Sequence, residues 1–247
     1  MPCDKRRNLI GVCKKRKAGE MMLKKYFGYR ILFNILIVSC FMFYPLGVLA
    51  GHVVVIDPAH GGTDSGVKAG RTAEKDLTLA IALELKKTLA QESGIEVLLT
   101  RDTDKTVSLQ ERRVKILQAK PALVLSLHVN AGFSKSSSGF ELYYPGFASG
   151  TVNGKNSNKT TDDAGGKYLN DTVKLARLIQ KNLDNLFLRK GRGLREAPVP
   201  LAEGLKIPVL VVELGFVTNA DDKKKLVLAK TQKEIAGALA ASIRSFF

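Results

Sequence analysis

Three short apolar runs in this chain each lead into a residue able to hold a metal or carry a proton. Val53-Val54-Val55-Ile56 runs into Asp57-Pro58-Ala59-His60-Gly61-Gly62, Leu123-Val124-Leu125-Ser126-Leu127 ends at His128, and Pro208-Val209-Leu210-Val211-Val212 ends at Glu213. Such runs read as strands buried in an α/β sheet. Helical patterns separate them. Leu77, Ala80, Ile81, Leu85 and Leu89 give an apolar face at helical spacing between Thr72 and about Gln91, with Gly94 as the stop. Ser108 followed by Glu111 predicts a capping box, starting a helix that runs to about Gln118. An apolar stripe predicts a helix over 168–188, and 221–247 reads as helical in two pieces. Further strands fall at 96–100 and 139–144. One domain therefore spans residues 51–247, an α/β fold with a single mostly parallel (mixed) sheet flanked by helices. Residues 145–167 are rich in Gly, Ser, Thr, Asn and Lys with no helical period, and read as a flexible loop.

The first fifty residues are of another kind. Residues 1–30 hold ten Lys or Arg against Asp4 and Glu20, and Ile31 to Ala50 is almost wholly apolar. A basic stretch, an apolar stretch and Val48-Leu49-Ala50 before Gly51 form a secretory signal pattern, predicting cleavage after Ala50. The basic part is long for a signal, so Met21 or Met22 is an alternative start. An uncleaved membrane anchor is the competing reading. Lipidation at Cys40 is a third, opposed by the apolar run continuing past it. Cys3, Cys13 and Cys40 all lie in this segment, so the exported domain has no thiolate for metal binding or nucleophilic attack. Half of the formal charge of +16 also lies there. The remaining positive charge fits either an anionic envelope polymer or a solvated lysine-rich surface; export argues against nucleic acid.

Polar residues at buried strand ends converge on one sheet edge, where open α/β folds place their sites. Two imidazoles and a carboxylate make the ligand set of a hydrolytic zinc site, and a second carboxylate can serve as base. Each residue also has a plainer explanation. His60 in a glycine-rich loop can be structural. Glu74 begins a helix, where the dipole favours a carboxylate. His128 and Glu213 need partners if buried, and for Glu213 a core arginine would do. His52, the third histidine, adjoins the proposed cleavage point and is read as incidental. No close-spaced metal motif such as His-Glu-x-x-His is present, so spacing alone leaves the site open.

Six blocks carry a resemblance. They are Ile56-Asp57-Pro58-Ala59-His60-Gly61-Gly62, Glu74-Lys75-Asp76-Leu77, Leu99-Thr100-Arg101-Asp102-Thr103-Asp104, Leu109-Gln110-Glu111-Arg112, Ser126-Leu127-His128-Val129-Asn130-Ala131, and Val212-Glu213-Leu214-Gly215-Phe216-Val217-Thr218-Asn219. In this order they resemble the zinc-dependent N-acetylmuramoyl-L-alanine amidases (amidase type 3), which hydrolyse bacterial cell-wall peptidoglycan. The resemblance implies zinc at the strand ends, held by His60, Glu74 and His128. It implies Glu213 as the catalytic carboxylate, and a weaker substrate-positioning role for Asn130. Arg101 and Arg112 are expected to brace the fold through ion pairs with acidic neighbours such as Asp104. Peptidoglycan is the implied partner, a protein activator is left open, and the implied location is the periplasm or cell envelope. Wall remodelling or daughter-cell separation is the implied role. Relatives often follow the second arginine with Ala-Asn; Arg113-Val114 stands here, a departure that touches helix packing more than chemistry. Some relatives close the zinc site with a plug helix, for which 145–167 is too short and polar, so an open site is expected. The alternatives are a wall-binding homologue without activity and a metal-dependent peptidase of related fold.

Overall fold

The protein is represented by a computed structural model that describes residues 51–92, 94–146, 163–187 and 191–247. The segment read as an export signal lies outside the described residues, as does 147–162, most of the stretch read as a loop.

The three apolar runs are the adjacent central strands. A six-stranded sheet takes the order β4 (Ile95–Leu99), β1 (His52–Pro58), β5 (Leu123–Asn130), β8 (Val209–Phe216), β6 (Phe140–Tyr144), β7 (Gly191–Glu196). The first four are mutually parallel; β6 runs antiparallel to β8, and β7 runs parallel to β6. A short antiparallel pair, β2 (Lys68–Ala69) and β3 (Thr72–Ala73), leads into α1 (Glu74–Leu89).

Strand side chains alternate between faces, and the two faces have different work. Val54, Ile56, Leu125, Leu127, Leu210 and Val212 point to one side, where they meet Ile81 and Leu85 of α1, Leu175 and Ile179 of α3 (Asp163–Leu186), and Leu239 of α5 (Ala229–Phe246). All of these side chains are fully excluded from water. Val55, Val124 and Val209 point to the other side, where a smaller cluster covers them: Ile116 of α2 (Leu109–Ala119), Val199, the 3-10 turn Pro200–Ala202 and the flanking Leu205 and Ile207. The second face is thus half covered, and its strand-end positions stay open to ligands.

The expected capping box is present: Ser108 Oγ accepts from the Glu111 N–H, and Glu111 Oε2 accepts from the Ser108 N–H at 2.7 Å. The helical tail is in two pieces, α4 (Ala220–Leu226) and α5. Three expectations need correction. Helix α3 begins at Asp163, not at 168, so the last residues of the expected loop are helical. Strand β7 and the 3-10 turn were not foreseen, because Gly191-Arg192-Gly193-Leu194-Arg195-Glu196 has neither an apolar run nor clean alternation. Finally, Arg101 does not pair with Asp104. It donates to the carbonyls of Pro58, Ala59 and Lys75 at 2.8–2.9 Å, while Lys75 takes Asp104 at 2.7 Å.

Candidate active site

Sheet register sets the site. His128 on β5 is the direct neighbour of Glu213 on β8, and Glu213 is the direct neighbour of Glu141 on β6. Directly opposed residues share a face. His128, Glu213 and Glu141 therefore form one transverse row on the half-covered side. One layer inward runs the row Asp57, Ser126, Val211 and Tyr143.

Glu74 enters from above, at the first position of α1, and is buried. Its Oε2 lies 3.1 Å from His60 Nε2 and its Oε1 lies 3.1 Å from His128 Nδ1. The N–H groups of Val67 and Val129 also donate to it. One donor atom from each of His60, Glu74 and His128 lies within 4.8 Å of the others. The two imidazole rings stand edge-on, with centroids 5.6 Å apart. Burial by itself would raise the Glu74 carboxyl, but hydrogen bonds from His128, His60 and Val67 outweigh it and hold Glu74 far below the usual carboxylate range. The hydrogen bond to Glu74, with help from Asp64, raises His60 to about 9 against the opposing effect of burial. Positive charge is thus drawn into this spot.

His60 is held with care. Its φ of +60° is left-handed, a conformation few side chains adopt. Two guanidiniums fix the loop that imposes it: Arg112 donates to the carbonyls of Pro58 and His60 at 2.8 and 2.6 Å, and Arg101 to those of Pro58 and Ala59. Arg112 is itself paired with buried Asp57 at 2.6 Å, which also accepts from Thr100 and Ser126. This is the bracing expected of Arg112. The His60 ring is turned by Asp64, whose Oδ2 sits 2.8 Å from Nδ1 and leaves Nε2 facing Glu74. Gly66 gives the close approach: a Cβ there would meet Glu74 Oε2 and lie 2.6 Å from His60 Cδ2. The donor set fits a small divalent cation, with an ionised carboxylate between two imidazoles, one of them oriented by a second carboxylate.

Glu213 has no arginine. Its Oε2 is the one buried side-chain polar atom without a hydrogen-bond partner among the described residues. Burial pushes its carboxyl up to about 7; His128 opposes the rise, and Glu74 and Glu141 add to it. Glu213 and His128 open onto a trough of about 510 Å³ along the half-covered face. The trough is floored by Asp57, Ser126 and Val211 and walled by Leu109 on one side and Pro198–Leu201 on the other. Arg113 anchors the second wall by donating to the carboxylate and carbonyl of Glu203.

Asn130 ends β5, with its side chain engaged at both ends: Nδ2 donates to Glu141 Oε2 at 2.9 Å and Oδ1 accepts from the Ala131 N–H. Glu141 was missed in the sequence. The signal was available, since a carboxylate inside Phe140-Glu141-Leu142 is as anomalous as Glu213 in its own strand. It also accepts from the Tyr143 hydroxyl at 2.7 Å and from Arg192 Nε at 2.7 Å.

Such a site, on the half-open face of a largely parallel sheet, sets a triad that could hold a metal ion beside a free carboxylate, an arrangement suited to a hydrolytic enzyme built on an α/β fold. Comparison with known proteins agrees. The family model described as N-acetylmuramoyl-L-alanine amidase matches residues 54–245. The relative N-acetylmuramoyl-L-alanine amidase LytC of Bacillus subtilis is 33% identical over 81% of this chain, which spans only 36% of its length. Protein YqiI of the same organism is 30% identical over 81% of this chain and 86% of its own. The crystal structure of an N-acetylmuramoyl-L-alanine amidase from Clostridium difficile superposes with a TM-score of 0.65 at 27% identity, covering 80% of this chain and 97% of that one. The chain belongs to the N-acetylmuramoyl-L-alanine amidase family, enzymes that hydrolyse the amide joining N-acetylmuramic acid to L-alanine in peptidoglycan.

Proposed function

We propose that His60, Glu74 and His128 would hold a zinc ion for the amidase reaction of this chain, with Glu213 as the proton carrier. The observation that carries the reading is the unpartnered Oε2 of Glu213, buried next to His128 in the same transverse row. Bound zinc supplies Lewis acidity, which polarises a carbonyl and acidifies water. Glu213 takes the proton of the attacking water at Oε2. It then delivers that proton to the departing nitrogen of L-alanine, so the bond breaks to a lactyl carboxylate and a free amine. A carboxyl raised towards neutrality by burial suits both halves of this transfer. Asn130 acts indirectly, by fixing Glu141 beside Glu213.

The substrate lies outside the cytoplasmic membrane, so the domain from residue 51 onward works in the cell envelope after export, through the signal read in residues 1–50. No helix among the described residues is long and apolar enough to cross a membrane. Product analysis on purified muropeptides tests the function. The expected result is intact stem peptide released from glycan. Cuts within the stem would assign a peptidase, and no release by zinc-loaded protein would assign a wall-binding homologue.

A further inference from the structure

Beyond the metal site, the row His128, Glu213, Glu141 leads towards β7, which carries two arginines. Arg192 donates through Nε to Glu141 Oε1 at 2.7 Å and lies over the Phe216 ring, 5.4 Å from its centroid. Arg195 stands opposite Tyr143, its Nη1 3.7 Å from the same carboxylate oxygen. Glu141 is buried and already accepts hydrogen bonds from Asn130, Tyr143 and Arg192. One guanidinium neutralises it. The second is beyond hydrogen-bond distance, and the two side chains remain 40% and 50% exposed. The cluster therefore carries a surplus positive charge towards solvent. Because Arg192 is held by Nε, its terminal Nη groups have no partner among the described residues and present a fork suited to a carboxylate.

We propose that Arg192 and Arg195 form a carboxylate-binding station for the stem peptide, and this rests on the amidase reading above. N-acetylated glycan is uncharged, so the anionic groups of the substrate lie on its peptide side. The first free carboxylate of a stem is that on its second residue, where the residue is a γ-linked glutamate and has not been amidated. Its distance fits. Arg192 reaches back to Glu141, whose strand neighbours that of Glu213 at a spacing of about 5 Å. The second residue's α-carbon lies about 3.8 Å beyond that of L-alanine, with its carboxylate one bond further. The station thereby points the peptide towards the β6–β7 edge and the glycan away from it, and it favours stems whose second residue keeps its charge.

The test compares two soluble muropeptides that differ only in a free carboxylate or a carboxamide at the second residue. Wild-type enzyme should show a KM at least about tenfold lower for the carboxylate, the usual scale of one charge-assisted contact. Arg195→Gln, which leaves the Arg192–Glu141 bond in place, should erase most of that preference by raising KM for the carboxylate substrate while kcat and the carboxamide kinetics stay level. Arg192→Lys keeps the charge near Glu141 but loses the fork, and should weaken the preference in the same sense. Equal KM values in wild type, or variants that slow both substrates alike, would overturn the proposal. Titration of zinc-loaded protein with the dipeptide L-Ala-γ-D-Glu and its α-carboxamide decides the matter without turnover. If neither muropeptide is cleaved yet the free acid binds more tightly in an Arg195-dependent way, the station stands and the amidase reading falls. Equal binding of both dipeptides removes the station whatever the turnover.

Discussion

At the scale of single residues, the site separates holding from reacting. Glu74 bonds to both imidazoles, whereas Glu213 bonds to neither and keeps a bare oxygen. Glu213→Gln keeps the shape and removes the proton acceptor. It should cut turnover by at least about 10²-fold, with zinc content by elemental analysis unchanged; near-normal activity would remove Glu213 from the mechanism. Asp64 sits behind His60 and sets which ring nitrogen faces inward. Asp64→Ala should therefore raise the zinc dissociation constant by about 10- to 100-fold, measured by competition with a chromophoric chelator, with little change in fold by circular dichroism. The histidines and Glu213 were legible in the sequence because polar groups ending apolar strands are anomalous. Asp64 was not, since an exposed aspartate in a glycine-rich loop looks like ordinary turn chemistry.

At the scale of elements, the strands that could be read were those with a run or alternation of apolar residues, the edge strand β4 among them. Strand β7 escaped because an edge strand needs no apolar run, and its two arginines and two glycines look like a loop. The start of α3 escaped because Asp163-Ala164-Gly165-Gly166 favours a turn by local propensity. Joining β1 to α2 is the buried Asp57–Arg112 pair. Burial raises the Asp57 carboxyl, but Arg112 and hydrogen bonds from Thr100 and Ser126 prevail and hold it below its usual value. The folded state therefore resists protonation that the unfolded chain accepts. This contribution is complete above about pH 4 and is lost as pH falls below that. Asp57→Asn should flatten the acid limb of a stability–pH curve from urea denaturation. Arg112→Ala should cost about 3–5 kcal/mol, because it strands a buried carboxylate. The segment 147–162 lies outside the described residues, and its composition supports an open site. Deleting 150–160 should leave peptidoglycan hydrolysis level or reduced in an assay without any partner protein. A rise above about tenfold, roughly 1.4 kcal/mol in the barrier, would identify the segment as a plug.

At the scale of the whole molecule, residues 51–247 carry the sheet, both helical layers and every donor discussed, while residues 1–50 are proposed only to deliver them. Protein recovered from its native envelope should begin at Gly51 by N-terminal sequencing; a lipid-bearing start at Cys40 or a retained Met1 or Met22 would refute processing after Ala50. The overall architecture was legible because three apolar strands, three capped or striped helices and their order leave few ways to build a sheet. What could not be read was which strand lies beside which, and so the meeting of Glu213 with Glu141, since pairing between β6 and β8 joins segments 72 residues apart. The unequal cover on the two sides of that sheet has a practical outcome. Cohesion comes from the fully packed side, so chemistry on the sparse side can be silenced without loosening the molecule. A zinc-loaded Glu213→Gln protein carrying a fluorophore on the outer face of helix α5, at Lys233 for example, becomes a stain: it would settle on uncut stems, leave them whole, and map where in a living wall they are within reach.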